Sequence, residues 1–201
     1  MFTVNQSLLQ MAEESKIARE RFLSEYSSSL IEVAGIVGHC VVSRGKILLF
    51  GNGGSAADAQ HTAAELIGRL RSPSRAALPA LALTTDTSNL TAVGNDFGFE
   101  YVFSRQIEAL ARAEDVAIAI STSGNSRNVL LAVEAAQKLG CKTIGLTGGT
   151  GGKLKDAVDV CLNVAASTHS SRIQETHIFI LHALAELVET FYLGKTPGVK
   201  A

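Results

Sequence analysis

Four polar side chains stand at spacings that a helix would gather. In Asp58-Ala-Gln-His61-Thr-Ala-Ala-Glu65-Leu-Ile-Gly-Arg69, His61 and Glu65 are four residues apart, hence one turn apart on one helix face. At that separation an imidazole and a carboxylate can hold one metal ion. Near the other end of the chain Gln174, Glu175, His177 and His182 lie among apolar neighbours, where polar side chains are costly to bury without a partner. Gln174 and His182 differ by about 80° around a helix of 3.6 residues per turn, so both can lean toward one point. His177 points elsewhere and reads as a satisfied core or interface histidine. Two helices that each supply nitrogen or oxygen donors suit zinc or a similar divalent ion.

Two further segments suit an anion. Gly51-Asn-Gly-Gly-Ser55 and Ser121-Thr-Ser-Gly-Asn-Ser126 are rich in glycine and hydroxyls, and each leads into a helical stretch. The free N–H groups and positive dipole end of a helix, with serine and threonine hydroxyls as extra donors, favour a phosphate. Either segment alone is also an ordinary strand-to-helix turn with a serine N-cap; two at one crevice point to phosphate. Neither matches GxGxxG or GxxxxGK[ST], which disfavours a dinucleotide or a nucleoside triphosphate.

These side chains need elements to position them. Before residue 45, Val4, Leu8, Met11, Ile17, Phe22, Tyr26, Leu30, Val33 and Val37 recur mostly at three- and four-residue steps, which predicts two N-terminal helices. Short runs that are mostly apolar at consecutive positions follow at 46–50, 79–83, 115–120, 142–146 and 160–164, the pattern of parallel strands covered on both faces. Helical stretches fall between them at 56–70, 102–112, 128–139 and, more weakly, 152–157, and a long helix closes the chain at 171–192. The alternation predicts an α/β, doubly wound, five-stranded parallel sheet, for which the flavodoxin-like order 2-1-3-4-5 is the common one and is expected here. Ligands then bind beyond the strand ends at the switch point between strands one and three, where the two phosphate-suited loops emerge.

Composition narrows the function. A chain of 201 residues is one domain's worth, and 46% hydrophobic against 18% charged residues, with 18 glycines and 3 prolines, excludes a disordered chain, a collagen-like repeat and a long coiled coil. A net charge of -1 gives no electrostatic footprint for nucleic acid or acidic membranes. The first twenty residues lack the basic start and apolar run of a signal peptide, and no apolar stretch is long enough to span a bilayer. A cytoplasmic protein is expected, with Cys40, Cys141 and Cys161 as free thiols.

The run Gly51-Asn-Gly-Gly-Ser-Ala-Ala-Asp-Ala-Gln-His61, then Leu83-Thr-Thr-Asp-Thr-Ser88 with Leu90-Thr-Ala-Val-Gly-Asn-Asp-Phe-Gly98, then Ile120-Ser-Thr-Ser-Gly-Asn-Ser126, and Arg172-Ile-Gln-Glu-Thr-His177 together resemble the bacterial sedoheptulose 7-phosphate (phosphoheptose) isomerases, single-domain sugar isomerase (SIS) proteins. The resemblance covers about residues 45–192, the sheet core and C-terminal helix; residues 1–44 fit by position only, as helices for oligomerisation. It implies conversion of D-sedoheptulose 7-phosphate to D-glycero-D-manno-heptose 7-phosphate, a step toward nucleotide-activated heptose for lipopolysaccharide core or other surface glycans. It also implies a homotetramer with active sites at subunit interfaces and one zinc ion per subunit.

Carried over by position, the resemblance makes Ser55, Ser121, Thr122 and Ser126 the phosphate cradle and brings Asn52 and Gly53 to the sugar. It assigns His61, Glu65, Gln174 and His182 to the metal and Glu65 and His182 to acid/base chemistry. Arg69, Asp96, Thr122 and Gln174 become substrate contacts. The family's motif often has an acidic residue before Arg172, where this chain has Ser171. The chemistry agrees, because moving a carbonyl from C2 to C1 needs a base to shuttle a proton through an enediolate and an acid or metal to stabilise the oxyanion. The alternative is a non-catalytic SIS regulator that binds the replication initiator DnaA. Glu65 and His182 speak for the enzyme. A sugar-phosphate-sensing transcription factor would need a DNA-binding domain that the first 45 residues are too few and too acidic to form.

Overall fold

The computed structural model describes residues 4–73 and 75–194. A five-stranded, all-parallel sheet runs through it, as the apolar runs predict, and its order β2-β1-β3-β4-β5 is the expected common doubly wound one. Its strands are β1 (Ile47–Gly51), β2 (Ala80–Ala82), β3 (Val116–Ile120), β4 (Lys142–Gly148) and β5 (Val160–Val164). The central strands are apolar at successive positions because helices cover both faces. Ile47, Leu49, Ile118 and Ile120 pack in one core with α1 (Val4–Val42), α2 (Gly54–Ile67) and α7 (Ser170–Tyr192). Leu48, Phe50, Ala117 and Ala119 pack in a second core with α4 (Ser104–Leu110), α5 (Arg127–Lys138) and α6 (Leu154–Ala157).

The N-terminal expectation is corrected. The two helices predicted before residue 45 are one, α1, continuous over 39 residues and so about 58 Å long at 1.5 Å per residue. No glycine or proline occurs between Val4 and Ala34, so nothing in the chain ends a helix there. Its C-terminal half is anchored through Leu30, Val33, Ala34, Val37 and Val41. Gly38 permits the crossing with α7, since a Cβ there would collide with the Phe191 ring.

The predicted 102–112 helix is the shorter α4, preceded by a 3₁₀ turn at Phe99–Tyr101. A helix that apolar periodicity did not announce, α3 (Thr87–Asp96), precedes it and buries no residue fully. Its start is set by Asp86, whose side chain accepts the Asn89 N–H at 3.0 Å.

Cys40, Cys141 and Cys161 are free, the first two buried. Burial pushes the Cys40 and Cys161 thiols up to about 11, so both stay protonated and unreactive at neutral pH. Among the described residues no helix is long and apolar enough to cross a membrane.

Candidate active site

Strand order reverses at β1, which lies between β2 and β3. Gly51 and Ile120 are in register at the ends of β1 and β3, so the two glycine- and hydroxyl-rich loops leave the sheet side by side. A Cβ on Gly51 would stand 2.7 Å from the Ile120 carbonyl oxygen and 2.8 Å from Ser55 Cβ. Only glycine lets the first turn of α2 close over the strand ends. Gly53, with φ 58°, makes the turn itself.

Neither α2, with N-cap Gly53, nor α5, with N-cap Ser126, has a capping side-chain hydrogen bond. No side chain takes their first-turn N–H groups; those of Ser55 and Ala56 bond the Asn52 and Gly53 carbonyls at 3.1 and 3.0 Å and that of Val129 bonds the Ser126 carbonyl at 3.1 Å, so the positive helix ends and the loop hydroxyls are what favour an anion there. The Ser126 hydroxyl instead lies 3.1 Å from Ser121 Oγ. Ser55 and Ser121 are buried and Thr122 is half-buried. The second loop is held by Gly124 N–H to the Ser121 carbonyl (3.0 Å), Leu154 N–H to the Gly124 carbonyl (2.9 Å) and Lys153 N–H to Asn125 Oδ1 (3.1 Å).

A clasp ties the loops together. Asn52 donates its amide N–H to Asn128 Oδ1 and Asn128 donates its own to Asn52 Oδ1, each at 2.9 Å. Asn52, expected to approach the sugar, thus also fixes the first loop to the start of α5.

The second group of predicted residues meets between α2 and α7. His61 Nε2 lies 2.8 Å from His182 Nε2 and 3.4 Å from Glu65 Oε1. Ligand atoms of His61, Glu65 and His182 all lie within 4.8 Å of one another. Two imidazoles and a carboxylate are a donor set that catalytic zinc accepts while keeping a position open. Gln174 stands further toward the first loop, its amide nitrogen 2.6 Å from where a Gly54 Cβ would be. Arg69 is exposed just beyond α2, and Asp96 is exposed at the end of α3, where its carboxylate accepts from Asn95 Nδ2 at 2.7 Å.

His177 is a core histidine. Its Nε2 lies 3.0 Å from the Thr147 carbonyl oxygen, which can only accept, so Nε2 carries the proton and Nδ1 is left bare. Nδ1 is buried without a partner, and burial lowers the imidazole to about 4.

Sequence reasoning missed two residues here. Asn128 gives away nothing by spacing, although a buried amide at a helix start invites a partner. Asp58 lies one turn before His61; its Oδ2 is buried without a hydrogen bond, and desolvation raises its carboxyl to about 6.

The model of the SIS domain family matches residues 10–148. The phosphoheptose isomerase of Aquifex aeolicus is 51% identical over 176 residues, covering 88% of this chain and 91% of that protein. The structure of phosphoheptose isomerase GmhA from Neisseria gonorrhoeae superposes with a TM-score of 0.87 at 44% identity, over 94% of this chain and all of the other. That of a phosphoheptose isomerase from Francisella tularensis gives 0.89 at 36% identity with the same coverage. With this fold, this cluster and these relatives, the chain belongs to the phosphoheptose isomerase family of SIS-domain enzymes.

Proposed function

We propose that the enzyme converts D-sedoheptulose 7-phosphate to D-glycero-D-manno-heptose 7-phosphate through an enediolate. The observation that carries this reading is the placing of two chemistries along α2. Ser55, beside the uncapped loop, and His61, in the His61–Glu65–His182 cluster, are about 9 Å apart by helical rise, so one phosphorylated sugar can engage both.

Ser55, Ser121, Thr122 and Ser126 hold the phosphate, and Asn52 and Gly53 orient the chain of carbons. Glu65 takes the proton from C1 of the ketose and returns it to C2, while His182 donates a proton to O2 and recovers one from the O1 hydroxyl, giving the C1 aldehyde. Arg69, Asp96 and Gln174 contact the substrate. His61, Glu65 and His182, with Gln174 as fourth donor, would hold one Zn²⁺ per chain, and zinc there supplies Lewis-acid stabilisation of substrate oxygens.

The same reading makes the protein a cytoplasmic homotetramer whose sites lie at subunit interfaces, with its product destined for nucleotide-activated heptose of lipopolysaccharide core or other surface glycans. No nucleic acid or membrane takes part.

Turnover of sedoheptulose 7-phosphate in D₂O, followed by NMR, tests the reaction. The expected result is an aldoheptose phosphate carrying deuterium at C2. Absence of isomerisation, together with tight binding to a replication initiator, would favour the non-catalytic alternative.

A further inference from the structure

The mechanism leaves one fully buried ion pair unused. Arg75 and Glu189 have side chains 0% and 5% exposed, with Arg75 Nε 2.7 Å from Glu189 Oε1. Burying two charges is expensive unless every donor and acceptor finds a partner, and here each does.

Arg75 has five N–H donors. Besides Glu189, they reach the carbonyls of Leu66 (2.7 Å), Ala76 (2.7 Å), Glu65 (2.8 Å) and Gly68 (3.4 Å). Three of these acceptors lie at the C-terminal end of α2, where carbonyls lack helical partners and a cation is favoured. The Glu189 carboxylate accepts in addition the backbone N–H groups of Leu70 (3.1 Å), Arg71 (3.1 Å) and Ser72 (3.2 Å). Its four acceptor sites are filled.

The position of this knot matters more than its strength. Arg75 grips the backbone carbonyl of Glu65 itself, and Glu189 sits two turns beyond His182 on α7. The two helices are therefore pinned beyond the cluster by Arg75–Glu189, while at the other end Gln174 rests against Gly54. A slip of α2 along α7 by a fraction of a turn would part Glu65 and His61 from His182.

We infer that Arg75 and Glu189 are positioning residues for the isomerase reaction, setting the axial register of α2 against α7 that brings Glu65 and His182 onto one substrate. Neither touches the substrate. The phosphate cradle lies at the opposite end of α2 and does not depend on the knot.

The kinetic part of the test rests on the proposed function; the exchange part does not. Arg75→Lys keeps the charge but not the five-donor fork, and Glu189→Gln keeps the shape but not the charge. In samples shown to be folded by circular dichroism, both should lose about 10- to 100-fold in kcat, the scale of a misplacement near 1 Å. KM for the sugar phosphate should stay within about twofold, because ground-state binding is untouched. Unchanged kcat in folded variants, or activity lost only in proportion to the unfolded fraction, would overturn the inference. If neither variant folds, amide hydrogen exchange in the wild type decides. Leu70, Arg71 and Ser72 should exchange as slowly as helix-interior amides, and exchange at free-loop rates would refute the knot. Should the wild type fail to isomerise the heptose, the functional reading falls while the exchange result still judges the knot.

Discussion

The Nε2 atoms of His61 and His182 face each other at 2.8 Å although 121 residues separate them in the chain. Two ring nitrogens this close suit either a hydrogen bond from one ring to the other or lone pairs turned to one metal ion. The contact joins α2, which carries Glu65, to α7.

Removing either proton-transfer group should therefore cost rate without unfolding the chain. Glu65→Gln and His182→Asn keep size and polarity, and each should lower kcat by roughly 10²- to 10⁴-fold, the usual contribution of general acid/base catalysis. Steady-state kinetics on sedoheptulose 7-phosphate checks this; a rate that survives both changes would place the base elsewhere.

A His61–Glu65–His182 donor set should retain metal. Elemental analysis of purified protein should find about one zinc per chain, and His61→Ala should reduce that content severely. Full activity in a preparation shown to be metal-free would mean that the cluster serves proton transfer alone.

The cradle hydroxyls are separately testable. Ser55→Ala and Ser121→Ala should each weaken binding of the sugar phosphate by about 1 to 3 kcal/mol if the contacts are charge-assisted, with little effect on thermal stability. Unaltered affinity in both variants would reduce the loops to simple turns.

Stability should depend on pH through two groups of opposite sign. Burial raises the Asp58 carboxyl from 3.8 to about 6, so its favourable state below 3.8 is lost as pH rises through 6. Burial lowers His177 from 6.5 to about 4, so its contribution is complete above 6.5 and is lost as pH falls toward 4, on the order of 3 kcal/mol. Urea midpoints should show Asp58→Asn more stable than the wild type at pH 8 and equal to it near pH 3.5. His177→Gln should be less stable throughout but flatter between pH 6.5 and 4. Curves parallel to the wild type would refute the assignment.

Association should be visible in solution. Along α1, Val4, Leu8, Leu9, Ile17 and Ile31 are exposed apolar residues, surface that association would cover. Light scattering should give roughly four times the 21.1 kDa chain mass; a single chain's mass at micromolar concentration would contradict a shared site.

The strands, the phosphate-suited loops and the His61–Glu65 pair were legible in the sequence because each is a local property, whereas the order 2-1-3-4-5 was expected only as the common one for such an alternation. A strand buried on both faces must be apolar at successive positions, and residues four apart share a helix face whatever surrounds them. The continuity of α1 was less legible, since periodicity marks the buried face of a helix but not where it stops. The resemblance implied that His61 and His182 meet, but no spacing showed it, and the pairings of Asn52 with Asn128 and Arg75 with Glu189 only the tertiary structure decided. Each joins residues from 76 to 121 positions apart, and no local spacing says which turn of α2 meets which turn of α7. That register follows from how the helices pack over β1 and β3, with Gly38 admitting Phe191 and Arg75 closing the end of α2.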